Sequence, residues 1–210
     1  MLLDVLVISI IIAFLRGGKL GNLAKIEFNK IVLIIIPFII QYILVKGGER
    51  GVNFFEGWGI YMHILSYLIL LTGIWYNRHI KEIGIFGVGI VLNFLVILLN
   101  KGQMPVCLEA LEKVKMQDML PLLESKSYVI HTIMDAKTKL KFLADIIPLP
   151  PPYPNPRVLS IGDVIMAVGV FLLIQNYMVG EIRLFKFFQR RKKANGNKVI
   201  VRKNEGNRCI

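Results

Sequence analysis

Ile83-Gly-Ile-Phe-Gly-Val-Gly-Ile-Val-Leu-Asn-Phe-Leu-Val-Ile-Leu-Leu99 runs for seventeen residues without one charged side chain. A helix needs about 20 mostly apolar residues, within a range of roughly 17–25, to cross the ~30 Å hydrocarbon core of a bilayer. The stretch therefore predicts a transmembrane helix. Four others approach the same standard, at about 3–15, 31–46, 58–77 and 161–180, and none of the five has Lys or Arg in its interior. Composition agrees, because 55% hydrophobic residues, 19% charged residues and a mean hydropathy of +0.59 exclude an ordinary soluble domain. The expected fold class is an all-α membrane protein with about five transmembrane helices and a small extracytoplasmic cap. Its expected divisions are a four-helix region (1–99), the cap with its Pro-rich linker (100–160), a fifth helix (161–180) and a basic cytoplasmic tail (181–210). The first helix has Asp4 where a signal peptide would carry its basic region, and no small-residue cleavage site follows. It reads as a retained, short helix.

Charge placement predicts orientation, since short cytoplasmic loops concentrate Lys and Arg. The first link carries Arg16, Lys19, Lys25 and Lys30 against Glu27, whereas the second balances Lys46 and Arg50 against Glu49 and Glu56. Arg78 and Lys81 mark the inside again, and the tail from Glu181 holds ten basic residues against Glu181 and Glu205. A plasma-membrane protein with its N-terminus outside and its C-terminus cytoplasmic is expected. The tail segment Arg183-Leu-Phe-Lys-Phe-Phe-Gln-Arg190-Arg-Lys-Lys193 mixes Phe with cations directly after a helix, which suits anionic lipid headgroups better than nucleic acid. The expected partner is the lipid bilayer, with no nucleic acid; no protein partner is named by the sequence. Cys107 and Cys209 fall on opposite faces in this topology and cannot pair within one chain.

The chemistry-bearing stretch is Leu143-Ala-Asp145-Ile-Ile-Pro148, followed eighteen residues after Asp145 by Ser160-Ile-Gly-Asp163 at the start of the last helix. Carboxylates near hydrocarbon cost several kcal/mol, roughly 2.5–3.5 at a helix centre, so a functional role is their default reading. Two acids held close share a proton, letting one activate water while the other protonates a leaving group. A structural alternative stands beside this: Ser160-x-x-Asp163 is also a helix capping box, and Asp145 suits a turn before Ile-Ile-Pro.

Asp4, Gln41, His63, Asn93 and Asn100 fall in the same outer half as the two acids, either lining one cavity or bonding neighbouring helices. Gly84, Gly87 and Gly89 read as close-packing positions. In the 100–160 segment, Pro105 occupies a plausible first helical position, with Leu108, Leu111 and Val114 at helical spacing. Tyr128-Val-Ile130 reads as a short strand, His131 as a lone histidine without metal-ligand spacing, and Pro148 to Pro156 as extended backbone stiffening the link between the acids. No nucleotide-binding glycine loop, nucleophile elbow or zinc motif is present, so no cofactor or metal is expected.

Asn100-Lys-Gly-Gln-Met-Pro-Val106, Lys139-Leu-Lys-Phe-Leu-Ala-Asp-Ile-Ile-Pro-Leu-Pro150, Leu159-Ser-Ile-Gly-Asp-Val164 and Gly18-Lys-Leu-Gly-Asn-Leu-Ala24 resemble an uncharacterised family of small multi-pass bacterial membrane proteins. That resemblance implies a bacterial membrane location and supplies no activity. Asp145-Ile-Ile and Leu159-Ser-Ile-Gly-Asp163, followed by Met166, Gly169, Leu172 and Leu173, also resemble signal peptidase II, the lipoprotein signal peptidase. Its pattern has an Asp-Phe-Ile stretch, then Phe-Asn-x-Ala-Asp opening the last helix. The resemblance implies that Asp145 and Asp163 are a catalytic pair, with Asn100-Lys-Gly102 standing at that family's Asn-x-Gly motif. Ser160 replaces the usual Asn, and an outer segment stands where that family places two helices. The function expected is an aspartyl-type hydrolase acting on a peptide or lipid-linked substrate, with Asn100, Gly102 and Ser160 orienting it. A non-enzymatic membrane scaffold or binding protein is the alternative.

Overall fold

The computed structural model describes residues 1–51, 54–124 and 128–180. The basic tail expected to grip anionic lipid, and Cys209 within it, lie outside the described residues; Cys107 is a free thiol. The chain is mostly helical. Long helices form where the apolar runs predict them: α1 (Leu2–Leu15), α2 (Val32–Glu49), α3 (Phe54–Tyr76), α4 (Lys81–Leu99) and α7 (Ile161–Met178). Four are long and apolar enough to cross a membrane, at Val32–Glu49, Gly57–Tyr76, Lys81–Leu99 and Ile161–Met178. Helix α1 has 14 residues, about 21 Å at 1.5 Å per residue, and falls short of that length.

Without a hydrophobic effect in lipid, helices associate through close packing and polar bonds. The tightest pair, α4 with α7, meets at glycines. A Cβ at Gly89 would lie 2.6 Å from Met166 Cγ, and one at Gly169 would lie 2.7 Å from the Phe86 amide nitrogen. Helix α1 packs on α7, while α2 packs on α3. At one end, Asn77 donates to the Asn29 carbonyl and accepts from its amide, both at 2.7 Å, and Lys19 N–H donates to the Met178 carbonyl. These bonds gather the loops rich in Arg and Lys. Lys30 lies over the Tyr76 ring and Arg78 over Trp75 at the same end.

The 100–160 segment folds at the opposite end around four short strands and two short helices: β1 (Met104–Val106), α5 (Leu108–Lys113), α6 (Leu120–Glu124), β2 (His131–Ile133), β3 (Ile147–Leu149) and β4 (Arg157–Leu159). Strands β1 and β2 pair in parallel, with Met104 opposite His131; β3 and β4 form an antiparallel hairpin with Pro148 opposite Val158. The Pro-rich run is extended on both sides and folds back on itself. Tyr153 hydroxyl and Arg157 tether this hairpin to Asp4 of α1, at 2.9 and 2.8 Å.

Two local expectations are corrected. Pro105 does not open a helix but sits within β1, and α5 begins three residues later behind the Cys107 N-cap. Strand β2 bonds β1 through the amide of Met104 and the carbonyl of Val106, so the N–H that proline lacks is not needed. The strand expected at Tyr128–Ile130 instead spans His131–Ile133. Tyr128, Val129 and Ile130 are core filling: Val129 and Ile130 pack with Leu44, and Tyr128 with Val106, Leu111 and Leu123. Apolar β-branched runs serve either purpose, and only the tertiary neighbours decide.

Candidate functional site

Asp163 is set by the start of α7. Ser160 Oγ accepts the Asp163 amide (2.9 Å), and Asp163 Oδ2 accepts the Ser160 amide (3.1 Å), which completes the capping box. Asn93, from α4, joins it. The fully buried Ser160 hydroxyl donates to Asn93 Oδ1 (2.8 Å), and Asn93 Nδ2 donates to Asp163 Oδ1 (3.2 Å). The Asp163 carboxylate oxygen is an acceptor, so its bond from Nδ2 sets which way the Asn93 amide faces and leaves Oδ1 for the serine hydroxyl. Gly162 makes the approach possible, since a Cβ there would collide with Asn93 Oδ1.

Asp145 reaches the same place through the backbone. Its N–H donates to the Pro105 carbonyl (3.0 Å) and its carbonyl accepts from Cys107 (2.9 Å), making it a third strand position beside β1. The next residue, Ile146, donates to the Leu159 carbonyl (3.1 Å), immediately before the Ser160 cap. The hairpin thus turns eighteen residues of sequence separation into adjacency. Asp145 and Asp163 line a single cavity of about 530 Å³ together with Gln41, His63, Tyr67, Asn93 and His131, walled by Leu70, Ile90 and Met166.

His131 Nε2 stands 3.7 Å from Asp145 Oδ2. Burial first, then the charge of Asp163, pushes the Asp145 carboxyl well above the usual carboxylate range. Burial first, then His63, lowers His131 to about 4. Both shifts disfavour the charged forms, so burial weakens this contact as an ion pair. The Tyr128 ring stacks on His131 at 5.9 Å and is pushed up to about 12, chiefly by its own burial.

None of the three residues assigned to substrate orientation is part of the cavity lining: Ser160 is buried beneath it in the capping box, and the other two lie elsewhere. Asn100, the C-cap of α4, donates to the carbonyls of Val96 (2.8 Å) and Lys139 (3.0 Å) and accepts the Lys139 amide (2.9 Å). It clamps the loop that leads to Asp145. Gly102, at φ +85°, presents its carbonyl to buried His63 Nδ1 at 2.9 Å, and a Cβ at this position would strike Ile60. His131 joins the site although its sequence spacing marks no ligand or catalytic role. No local pattern announces it, because its partner lies fourteen positions away and meets it only through β1. Among the described residues, no three His, Cys, Asp or Glu side chains converge as a group able to hold a metal ion.

Comparison with known proteins finds a match over residues 25–175 to a family described as a family of unknown function, DUF5317. The chain belongs to the DUF5317 family. The matched region runs from the first basic loop almost to the end of α7, so it takes in β1 to β4 and both acids. An uncharacterized protein of Thermotoga maritima is 27% identical over 172 residues, covering 82% of this chain and 89% of its own length. No solved structure matches. Family membership bears out the resemblance to an uncharacterised family and carries no activity with it.

Proposed function

We propose that this protein is an aspartyl-type hydrolase of the bacterial plasma membrane, cutting a peptide or lipid-linked substrate at the outer surface. The observation that carries the reading is that Asp145 and Asp163, from separate segments, line one cavity with different surroundings. Asp145 is buried and its carboxyl is pushed well above the ordinary range, as suits a general acid; both oxygens of Asp163 accept hydrogen bonds, as a base's do. Each carboxylate oxygen has two lone pairs, so the capping bonds leave room for a water on Asp163. Water attacks the scissile carbonyl as Asp163 takes its proton; Asp145 then protonates the leaving group as the carbon–heteroatom bond breaks. Transfer of the proton from Asp163 to Asp145 resets the pair. Asn100 and Gly102 act as positioning residues through Lys139 and His63, and the likeness to signal peptidase II supports the same two acids.

In this reading α1 completes a set of five spans, and the 100–160 segment is the extracytoplasmic cap. The gathering of Arg16–Lys30 and Arg78–Lys81 at one end supports a cytoplasmic placement of that end, with the N-terminus outside and the tail inside, on anionic lipid.

The completed capping box favours a second reading, a scaffold in which Asp163 only secures α7. A fluorogenic peptide amide carrying two alkyl chains, presented in vesicles, separates the two. The hydrolase reading expects cleavage by the native protein and at least a hundredfold loss in both Asp145→Asn and Asp163→Asn with insertion unchanged. Equal signals from native protein and variants refute it.

A further inference from the structure

We infer that the Tyr67 hydroxyl is a further catalytic group, donating a hydrogen bond to the oxygen of the scissile carbonyl as that oxygen takes up negative charge. This assignment rests on the hydrolase reading and gives a residue of the same cavity a task that the two acids do not perform. When the oxygen of water bonds the carbonyl carbon, the π pair moves onto the carbonyl oxygen, and a donor already aimed there is worth about 10²–10³ in kcat. Asp163 is engaged with the attacking water and Asp145 with the leaving group. The donor must come from elsewhere in the lining, and Tyr67 keeps its own proton throughout.

Tyr67, on α3, is 9% exposed and lines the cavity with Asp145 and Asp163. Among the described residues its hydroxyl makes no hydrogen bond, and no side-chain nitrogen or oxygen sealed from solvent lacks one. The hydroxyl is therefore open to the cavity that the ring lines. A polar group withdrawn from bulk water and left unpaired by the fold takes its partner from what the cavity holds.

The ring is held on two sides. It stacks on Phe94, with centroids 5.5 Å apart and 9° between planes, and meets His63 edge-on at 5.4 Å. Both neighbours are tied to the site: His63 Nδ1 lies 2.9 Å from the Gly102 carbonyl, and Phe94 follows Asn93, whose amide donates to Asp163 at 3.2 Å. A donor fixed in this way needs no reorganisation as charge develops. Other donors of the lining are already engaged. Gln41 Nε2 donates to Ser66 Oγ at 3.1 Å, Asn93 Nδ2 to Asp163, and Lys46 pairs with Glu49 at 2.6 Å.

The test uses the full chain in lipid nanodiscs with the fluorogenic peptide amide and a phosphinate isostere of it, whose tetrahedral P–O⁻ copies the oxyanion. Tyr67→Phe removes the hydroxyl alone. It should lower kcat about a hundredfold with KM moved less than threefold, and weaken phosphinate binding roughly thirtyfold or more. Binding of the intact amide, measured in Asp145→Asn with and without Tyr67→Phe, should differ less than threefold. Since no bond within the fold is lost, Tm should not fall. p-Aminophenylalanine in place of Tyr67 keeps a donor at similar reach and should recover about a tenth or more of the native rate. Cleavage by native protein with less than a tenfold loss of kcat in Tyr67→Phe defeats the inference and leaves the hydrolase reading intact. A lower Tm in Tyr67→Phe, or loss of amide binding equal to that of the phosphinate, makes the hydroxyl structural and overturns it as well. Absence of cleavage by native protein refutes the hydrolase reading on its own. The phosphinate then decides Tyr67 separately: binding that is absent, or unmoved by Tyr67→Phe, overturns the inference.

Discussion

Asp145→Asn should stabilise the folded protein at neutral pH while abolishing the proposed hydrolysis. Asp145 is 6% exposed, and burial together with Asp163 raises its carboxyl well above its ordinary value near 3.8. Each unit of elevation is about 1.4 kcal/mol of preference for the protonated acid in the fold. Between pH 3.8 and the folded-state value, the unfolded chain binds fewer protons than the native one, so this group's stabilising contribution is complete below pH 3.8 and is lost as pH rises through the folded value. Asparagine is neutral throughout and close in shape to the protonated acid. The stability difference, variant minus native, should therefore widen by up to about 1.4 kcal/mol per pH unit and then level off. For a chain of this size, 1 kcal/mol moves Tm by roughly 2–4 °C. Thermal unfolding in detergent at half-unit steps from pH 5 to pH 8.5 reads the curve directly. A variant less stable than native by more than about 1 kcal/mol at pH 7, or a difference that does not change with pH, would refute the reasoning and make Asp145 a structural residue.

His131 carries the opposite sign: lowered from 6.5 to about 4, its contribution is complete above pH 6.5 and lost toward pH 4, about 3 kcal/mol in all. Imidazole nitrogen shifts should show it neutral at pH 5.5, and His131→Gln should remove the acid-side loss. Ser160→Ala deletes the cap and strands Asn93 Oδ1, at an expected cost of about 1–2 kcal/mol in unfolding free energy. Gly162→Ala drives a methyl into Asn93 and the Gly89 carbonyl, so about 1–3 kcal/mol is expected, with the proposed hydrolysis reduced even where the protein inserts. Asp4→Ala frees Arg157 and Tyr153 and should cost no more than about 1 kcal/mol, while proteolysis of the Pro151–Asn155 turn speeds up.

What the sequence disclosed follows the range over which each feature is determined. A run such as Ile83–Leu99 declares a helix by itself, and the Ser160–Asp163 box closes within four residues, so both were legible. Asn100 and Gly102 were not, because the groups they serve, Lys139 and His63, are 39 residues away in either direction. His131 depends on the same kind of distance: its ring meets Asp145 only because β1 is flanked by β2 on one side and Asp145 on the other. The strand lies at His131–Ile133, three residues beyond the sequence expectation, for a related reason. Tyr128–Ile130 has the stronger apolar signal, and it is used against α2, α3 and α5 instead of in a ladder.

These distances explain why burial of Asp145 is sustainable at all. An ionised carboxylate in an apolar-walled cavity would cost several kcal/mol unless paired, and the nearest cation-forming group, His131, is itself held neutral by burial. The fold therefore admits Asp145 as an acid, stitched by its backbone to Pro105 and Cys107 so that tolerance does not rest on its side chain. Asp163, by contrast, has its two oxygens committed to Ser160 and Asn93, so its geometry is set before any substrate arrives. One group is free to give a proton and the other is fixed where it can take one. A scaffold would need only the second of these, and a neutral side chain of similar size at position 145 would serve it equally well. Whether Asn at position 145 leaves the protein's membrane function intact is therefore the sharpest division between a hydrolase and a scaffold.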